Sequence, residues 1–323
     1  MACAKIKKNA DMKQILKYLR EYIKTNYNSK LYIATAIFLA ISLAVNYALD
    51  FEDVYLDAFY RKPMHVFWMF LWQGLPFLMV CFLIYVFNIN REWLRSREFW
   101  VKFVIGFAIL SLDRPFYAHQ LLLKGLPRVD YIFYGKLLRW TSSLVTTVLP
   151  LVLFYFLYEK RNKTVYGLAQ RKPDLKPYAI LLGLTAIVIA IGSFLPDIQA
   201  YYPKYKTSYG DQFAHVHGIG RWVSIALYEL AYGTDFVSVE LFFRGFLIMA
   251  FSRILGENVV LAMAASYCYL HFGKPLGESI SSIFGGYILG IIALRTEHIW
   301  GGIMIHVGVA WLMEFFAALQ RLR

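Results

Sequence analysis

Charged residues are scarce in this sequence of 323 residues. Asp, Glu, Lys and Arg make up only 17% of it, and 59% is hydrophobic, whereas an average soluble protein is roughly 25% charged. The mean hydropathy is +0.48. A water-soluble enzyme of this length needs more polar surface, and a disordered chain needs far less apolar content. The composition therefore excludes both classes and indicates a multi-pass membrane protein.

Cysteine is also rare, and the common catalytic signatures are missing. The three cysteines, Cys3, Cys81 and Cys268, are too few for a disulfide framework. The sequence contains no His-Glu-x-x-His, no Gly-x-Ser-x-Gly, no P-loop and no dinucleotide fingerprint. It also has no fixed-period repeat and no linker between soluble domains. Any active site must therefore be assembled from residues that lie far apart in the sequence.

Apolar runs dominate the chain. A bilayer core of about 30 Å needs about 20 mostly apolar residues per helix. The run at 99–112 is short, and the run at 222–251 is too long for one span, so we expect Gly233-Thr234-Asp235 to divide it. This pattern predicts an all-α, polytopic transmembrane helical bundle with about eight spans plus a broken or re-entrant helix. The runs are 31–49, 64–88, 99–112, 140–158, 177–195, 222–251, 258–272, 279–295 and 298–319.

The positive charge, +13 in net, alternates between the connections. Residues 1–30 are rich in lysine, the connection 50–63 is mainly acidic, and residues 91–97 and 160–176 are basic again. Because Lys and Arg resist translocation, we expect a cytoplasmic N-terminus and a location in the cell membrane. We divide the chain into a basic amphipathic segment (1–30) that lies on the inner leaflet, N-terminal transmembrane helices (31–176) and a C-terminal transmembrane core (177–323). The expected partners are the lipid bilayer and no nucleic acid.

Ionisable residues occur inside the last apolar runs, where a charge costs at least roughly 2.5–3.5 kcal/mol. Glu240 and Arg244 share a helix face at i, i+4 spacing. His271 ends the next apolar run, and His306 lies inside the last one. By themselves Glu240 and Arg244 favour a structural ion pair, and His271 an interfacial histidine. Together, two imidazoles and a carboxylate on three helices are zinc-type ligands.

Three segments resemble the motifs of the CPBP intramembrane metalloprotease family, which comprises type II CAAX prenyl endopeptidases and bacteriocin-processing proteases. They are Glu240-Leu-Phe-Phe-Arg244, Tyr267-x-x-x-His271, and His306 after Trp-Gly-Gly. The resemblance covers about residues 178–320. It implies a metal-dependent endopeptidase, with zinc as the expected divalent metal, that cleaves a peptide or protein near the membrane. The catalytic residues it implies are Glu240, Arg244, His271 and His306, and the metal ligands are His271, His306 and Glu240.

Two positions depart from the family pattern. Val239 stands where the family has its first glutamate, and Ala310 stands where it has Asn or Asp. These departures leave open an alternative, a catalytically inactive membrane scaffold or immunity-type protein. A small-solute transporter is a third hypothesis, in which the break near Gly233 would form a binding site. The sequence contains no pair of related halves that would favour it.

Overall fold

The protein is an all-helical bundle in the computed structural model, which describes residues 12–159, 164–169 and 173–322. These residues contain no β-strand, as the sequence predicts. The principal helices are α1 (Met12–Asn26), α2 (Ser29–Leu49), α3 (Met64–Val86), α4 (Arg97–Asp113), α5 (Arg128–Glu159), α6 (Lys176–Gly192), α7 (Pro196–Tyr201), α8 (Gly210–Val216), α9 (Arg221–Glu240, continued by Leu241–Ala250 and Phe251–Leu255), α10 (Val259–Leu270), α11 (Leu276–Thr296) and α12 (Trp300–Gln320).

The long apolar helices are the candidate membrane spans. Within the described residues, six helical segments are long and apolar enough to cross a membrane, or seven if the bent pair Lys176–Gly192 and Pro196–Val216 forms one span. That pair is bent by 95°. The predicted helical membrane bundle with a broken or re-entrant helix is therefore confirmed.

The longest helical segment, Arg221–Leu270, folds back on itself. The guanidinium carbon of Arg244 lies 4.0 Å from the ring centroid of Tyr267, although a straight helix would separate these residues by about 35 Å at 1.5 Å per residue. The reversal occurs at Gly256–Asn258, where Gly256 has a φ of 67°. Helices α9 and α10 are thus two neighbouring antiparallel helices.

The helix break expected at Gly233-Thr234-Asp235 is wrong. Helix α9 runs without interruption through these residues, and the Thr234 hydroxyl donates to the Ala231 carbonyl one turn back. Gly233 instead faces α12, since a Cβ there would lie 3.3 Å from the Trp311 ring. Close helix packing outweighs the cost of a glycine in a helix, about 1 kcal/mol relative to alanine.

The connections separate into two membrane faces. On the first, the Tyr22 hydroxyl donates to the Glu257 carbonyl at 2.8 Å, and Asn90 donates to the Ile254 carbonyl. We call this the N-terminal face. On the opposite, distal face, the Tyr47 hydroxyl donates to the Lys274 carbonyl.

Helix α1 packs on the protein with its apolar face. Ile15, Tyr18 and Tyr22 are buried, and Arg295 of α11 and Asn26 of α1 both bind the Glu257 carboxylate. The sequence predicts this amphipathic helix, but its apolar side covers α11 rather than lipid alone.

Candidate active site

The Glu240 carboxylate lies fully buried where α9 passes α12. Its Oε1 is 3.1 Å from Nη1 of Arg244 and 3.0 Å from Nδ1 of His306. Gly302 allows this contact between helices, because a Cβ there would overlap Oε2 of Glu240. One carboxylate therefore holds a cation on its own helix and an imidazole on the neighbouring one, which reduces the cost of burying its charge.

This contact fixes the tautomer of His306. The carboxylate accepts the Nδ1 proton, so Nε2 keeps its lone pair. The Tyr267 hydroxyl lies 3.2 Å from that Nε2 and donates to it. Glu240 is thereby placed to orient His306, in the way that carboxylates hold metal-bound histidines, and it contacts the ring nitrogen that faces away from a ligand on Nε2.

Tyr267 links all three helices of the site. Its ring lies under the guanidinium of Arg244 at 4.0 Å and contacts His271 at a centroid distance of 4.5 Å. Gly286 of α11 allows the ring to sit there, since a Cβ at 286 would come 2.8 Å from it. The sequence-based site did not include Tyr267. Its i, i+4 spacing to His271 is the signal that could have identified it.

His271 ends α10 and has a defined tautomer too. Its Nδ1 lies 3.0 Å from the Tyr267 carbonyl and donates to it, which leaves the Nε2 lone pair available. The His271 and His306 rings are nearly parallel, with an interplanar angle of 18° and centroids 6.4 Å apart. Neighbouring helices thus bring together two histidines that are 35 residues apart in the sequence.

Both histidines line a cavity of about 490 Å³. Glu240 and Arg244, with exposed fractions of 0% and 1%, lie behind His306. The cavity wall includes Asp235 and Val239 from α9, and it extends to residues of the distal face. Further lining residues with charged side chains are Glu52, Asp53, Asp113, Arg114, Arg139, Lys204 and Lys274. Burial raises the pKa of Glu52 to about 7, an effect that the nearby Arg114 partly opposes.

The residue types fit a divalent metal at the two histidines. Neutral imidazoles with one nitrogen hydrogen-bonded and the other free are the form in which histidine binds zinc. Binding at His306 requires the Tyr267 hydroxyl to release Nε2. The Oε1 atom of Glu240 is engaged by Nδ1 of His306 and by Arg244, while its Oε2 is buried without a hydrogen-bond partner. This geometry places Glu240 to position His306, and its role as a metal ligand stays a prediction.

The two positions that depart from the family pattern have different surroundings. Val239 lines the cavity, so a longer side chain there would enter it. Ala310 is 5% exposed and packs within a cluster that contains Tyr232 and Phe236. The site therefore has open space at position 239 and aromatic packing at position 310.

An acidic residue lies one helical turn from each of these positions, Asp235 before Val239 and Glu314 after Ala310, and the two have different surroundings. Asp235 lies inside α9 and lines the cavity, so it does not cap a helix. Glu314 is buried and accepts the backbone amides of Lys204 and Tyr205 at 2.6 and 3.1 Å. Glu314 therefore holds the 202–205 segment and is not a solvated surface residue.

One comparison with known proteins matches the part of the chain that contains these site residues. Residues 221–312 match the family model described as Type II CAAX prenyl endopeptidase Rce1-like. No curated protein and no solved structure matches the chain. The family match covers all three segments that carry Glu240, His271 and His306, and it confirms for residues 221–312 the predicted resemblance to type II CAAX prenyl endopeptidases.

Proposed function

We propose that the protein is an intramembrane, metal-dependent endopeptidase that hydrolyses a peptide bond of a membrane-associated peptide or protein. The observation that carries this proposal is the pair of parallel imidazoles at the cavity, 6.4 Å apart, each with its Nδ1 hydrogen-bonded. The family match supports the same class of activity. In this proposal His271 and His306 hold a divalent metal, most suitably zinc.

The chain's own residues prepare the site. Hydrolysis adds a hydroxyl to the carbonyl carbon and a proton to the leaving nitrogen. Zinc, when bound, supplies a water whose pKa is about 7. Glu240 and Arg244 orient His306, and the Tyr267 carbonyl orients His271.

Asp235 is the carboxylate that we assign to proton transfer. It lies on α9 one turn before Val239, in the cavity wall that also contains His306. A carboxylate can accept a proton from water and return it to the leaving amine. Asp235 thus compensates for the valine at the family's glutamate position.

We further propose that the N-terminal face is cytoplasmic and that substrates reach the cavity from the distal face. Helix α1 and the connection 87–96 carry lysines and arginines, whereas the connection 50–63 carries four acidic residues. The cavity reaches the distal face through Asp53, Lys204 and Lys274. A substrate segment would therefore enter from the non-cytoplasmic side.

The test uses the purified full chain in detergent or proteoliposomes with a quenched-fluorescence peptide library. We expect cleavage that a chelator abolishes and zinc restores. Loss should be complete in His271→Ala, and Asp235→Asn should lower the rate 10²–10⁴-fold, the usual contribution of a general base. His215→Ala, at an exposed residue of α8, is the matched control and should retain full activity. Cleavage that persists in His271→Ala would contradict the proposal.

An inactive scaffold remains the second candidate, because Val239 and the tightly packed Ala310 remove two polar groups of the family pattern. It predicts that His271→Ala leaves the cellular phenotype of a deletion strain fully complemented. The endopeptidase predicts loss of complementation.

A further inference from the structure

A group of acidic residues lies at the distal end of the cavity whose wall also contains His271 and His306. Glu52–Leu56 is one π-helical turn, in which the Asp57 amide donates to the Glu52 carbonyl. This i, i+5 pairing places Glu52 and Asp57 on the same side of the turn. Glu52, Asp53 and Asp57 each offer an oxygen within 4.8 Å of the others. In the described part of the chain, no other group of three such residues meets this distance.

The ion pairs of this cluster do not neutralise all of its negative charge. Arg114 binds Oε1 of Glu52 and, at 2.6 Å, Oδ2 of Asp57. Glu52 Oε2 and Asp57 Oδ1 are buried and have no hydrogen-bond partner. Three carboxylates against one guanidinium leave a formal charge of about −2 when all are ionised. Buried carboxylate oxygens without a partner are costly, which favours a cation beside them.

A histidine provides the independent observation. The His65 side chain is fully buried, and neither ring nitrogen has a hydrogen-bond partner. Its Nε2 lies 3.5 Å from Oδ1 of Asp57, which has no hydrogen-bond partner either. Two ligands on one zinc ion, each at about 2.0–2.2 Å, lie roughly 3–4 Å apart. The separation of Nε2 and Oδ1 fits a shared ion.

We infer that Glu52, Asp53, Asp57 and His65 form a second divalent-cation site, suited to zinc by its mixed carboxylate and imidazole ligands. A divalent ion there balances the remaining charge and gives partners to the unpaired atoms of Glu52, Asp57 and His65. The site does not depend on the proposed endopeptidase activity, since it uses none of the residues of that site.

The cation site adjoins the turn that follows His271. Oε2 of Glu52 abuts Gly273, whose φ is +80°, and a Cβ at that position would overlap the carboxylate. Glu52 and Asp53 also line the wall of the cavity. A cation that fixes Glu52 thereby stabilises the distal end of the cavity.

The experiment removes the candidate active site first. The variant His271→Ala/His306→Ala is purified as the full chain, freed of metal with a chelator and dialysed against Zn²⁺, and bound zinc is measured per chain. We expect this variant to bind one zinc ion per chain. Adding His65→Phe or Asp57→Asn should abolish its binding or weaken it at least tenfold. Asp53→Asn removes a ligand at an exposed side chain, so it tests zinc binding without disturbing the buried packing.

The matched control is Asp50→Asn, which removes a neighbouring negative charge. Asp50 is exposed, and its left-handed φ of 49° suits asparagine. This variant should bind zinc as its parent does. Circular dichroism and gel filtration confirm that each variant is folded. The inference is overturned if the double variant binds no zinc, or if its zinc is unaffected by substitutions at 53, 57 and 65.

Discussion

At the scale of single residues, the site depends on one hydrogen bond to each histidine. Glu240 and the Tyr267 carbonyl take the Nδ1 protons of His306 and His271. Both Nε2 atoms then keep the lone pair that a metal or a proton requires. The tautomer of each imidazole is therefore set by the neighbouring acceptor at its Nδ1.

Tyr267→Phe should increase zinc affinity at the active site. The hydroxyl competes for Nε2 of His306, and a hydrogen bond of about 1 kcal/mol corresponds to a fivefold change in affinity. Equilibrium binding in a variant that lacks the second cation site, Asp57→Asn, measures the change. Tyr269→Phe, which loses a hydroxyl bonded to Ser42 instead, is the control. Weaker zinc binding in Tyr267→Phe would show that the hydroxyl assists the metal.

His298 should make stability depend on pH. It lies between α11 and α12, is 7% exposed, and burial lowers its pKa to about 4. The unfolded chain binds its proton below about pH 6.5, so the free energy of unfolding falls as pH drops from 6.5 to 4. The contribution is on the order of 3 kcal/mol. His298→Gln should flatten the dependence of the melting temperature on pH, and an unchanged slope relative to His215→Gln would contradict this.

At the scale of helices, the sequence predicted α10, α11 and α12 within a few residues. Local patterns did not predict that α9 continues through Gly233, nor what the apolar face of α1 contacts. Gly233 weakens a helix locally, yet it packs against Trp311 and the helix continues. The apolar face of α1 is as suitable for protein as for lipid. In the structure Ile15 packs with Ile292 of α11, and Asn26 binds Glu257, 231 residues later.

Glu257→Ala should loosen α1. This carboxylate binds Asn26 and forms a two-pronged ion pair with Arg295 at 2.6 and 2.7 Å. Without it, trypsin should cleave at Lys17, Arg20 and Lys24 several times faster in the detergent-solubilised chain, as resolved by mass spectrometry. Glu92→Ala, at an exposed residue of the same membrane face, should leave cleavage unchanged. Equal rates in all three proteins would mean that α1 docks without this contact.

At the scale of the whole molecule, the cavity extends to the distal face, whereas the contacts of α1 with Glu257 lie on the N-terminal face. The Tyr22–Glu257 contact marks one face and the Tyr47–Lys274 contact the other. The orientation of a membrane protein follows the basic residues of its connections. We therefore expect these residues, which take no part in the proposed chemistry, to determine the compartment towards which the cavity opens.

Cysteine accessibility tests this orientation. In a variant without the three native cysteines, an impermeant maleimide added to intact cells should label Thr207→Cys on the distal face. It should not label Arg95→Cys on the N-terminal face until the membrane is opened. Both positions are exposed. The reversed labelling pattern would place the cavity towards the cytoplasm.

The sequence by itself determined the membrane class, the helical fold and the candidate residues, because charges in apolar runs are rare enough to stand out. Only the tertiary structure decided their roles. It turned Glu240 towards Nδ1 of His306, placed Tyr267 between the helices, and brought His65 to a group of carboxylates. These contacts join side chains of different helices, and helix packing sets their distances, so spacing along the chain alone does not give them.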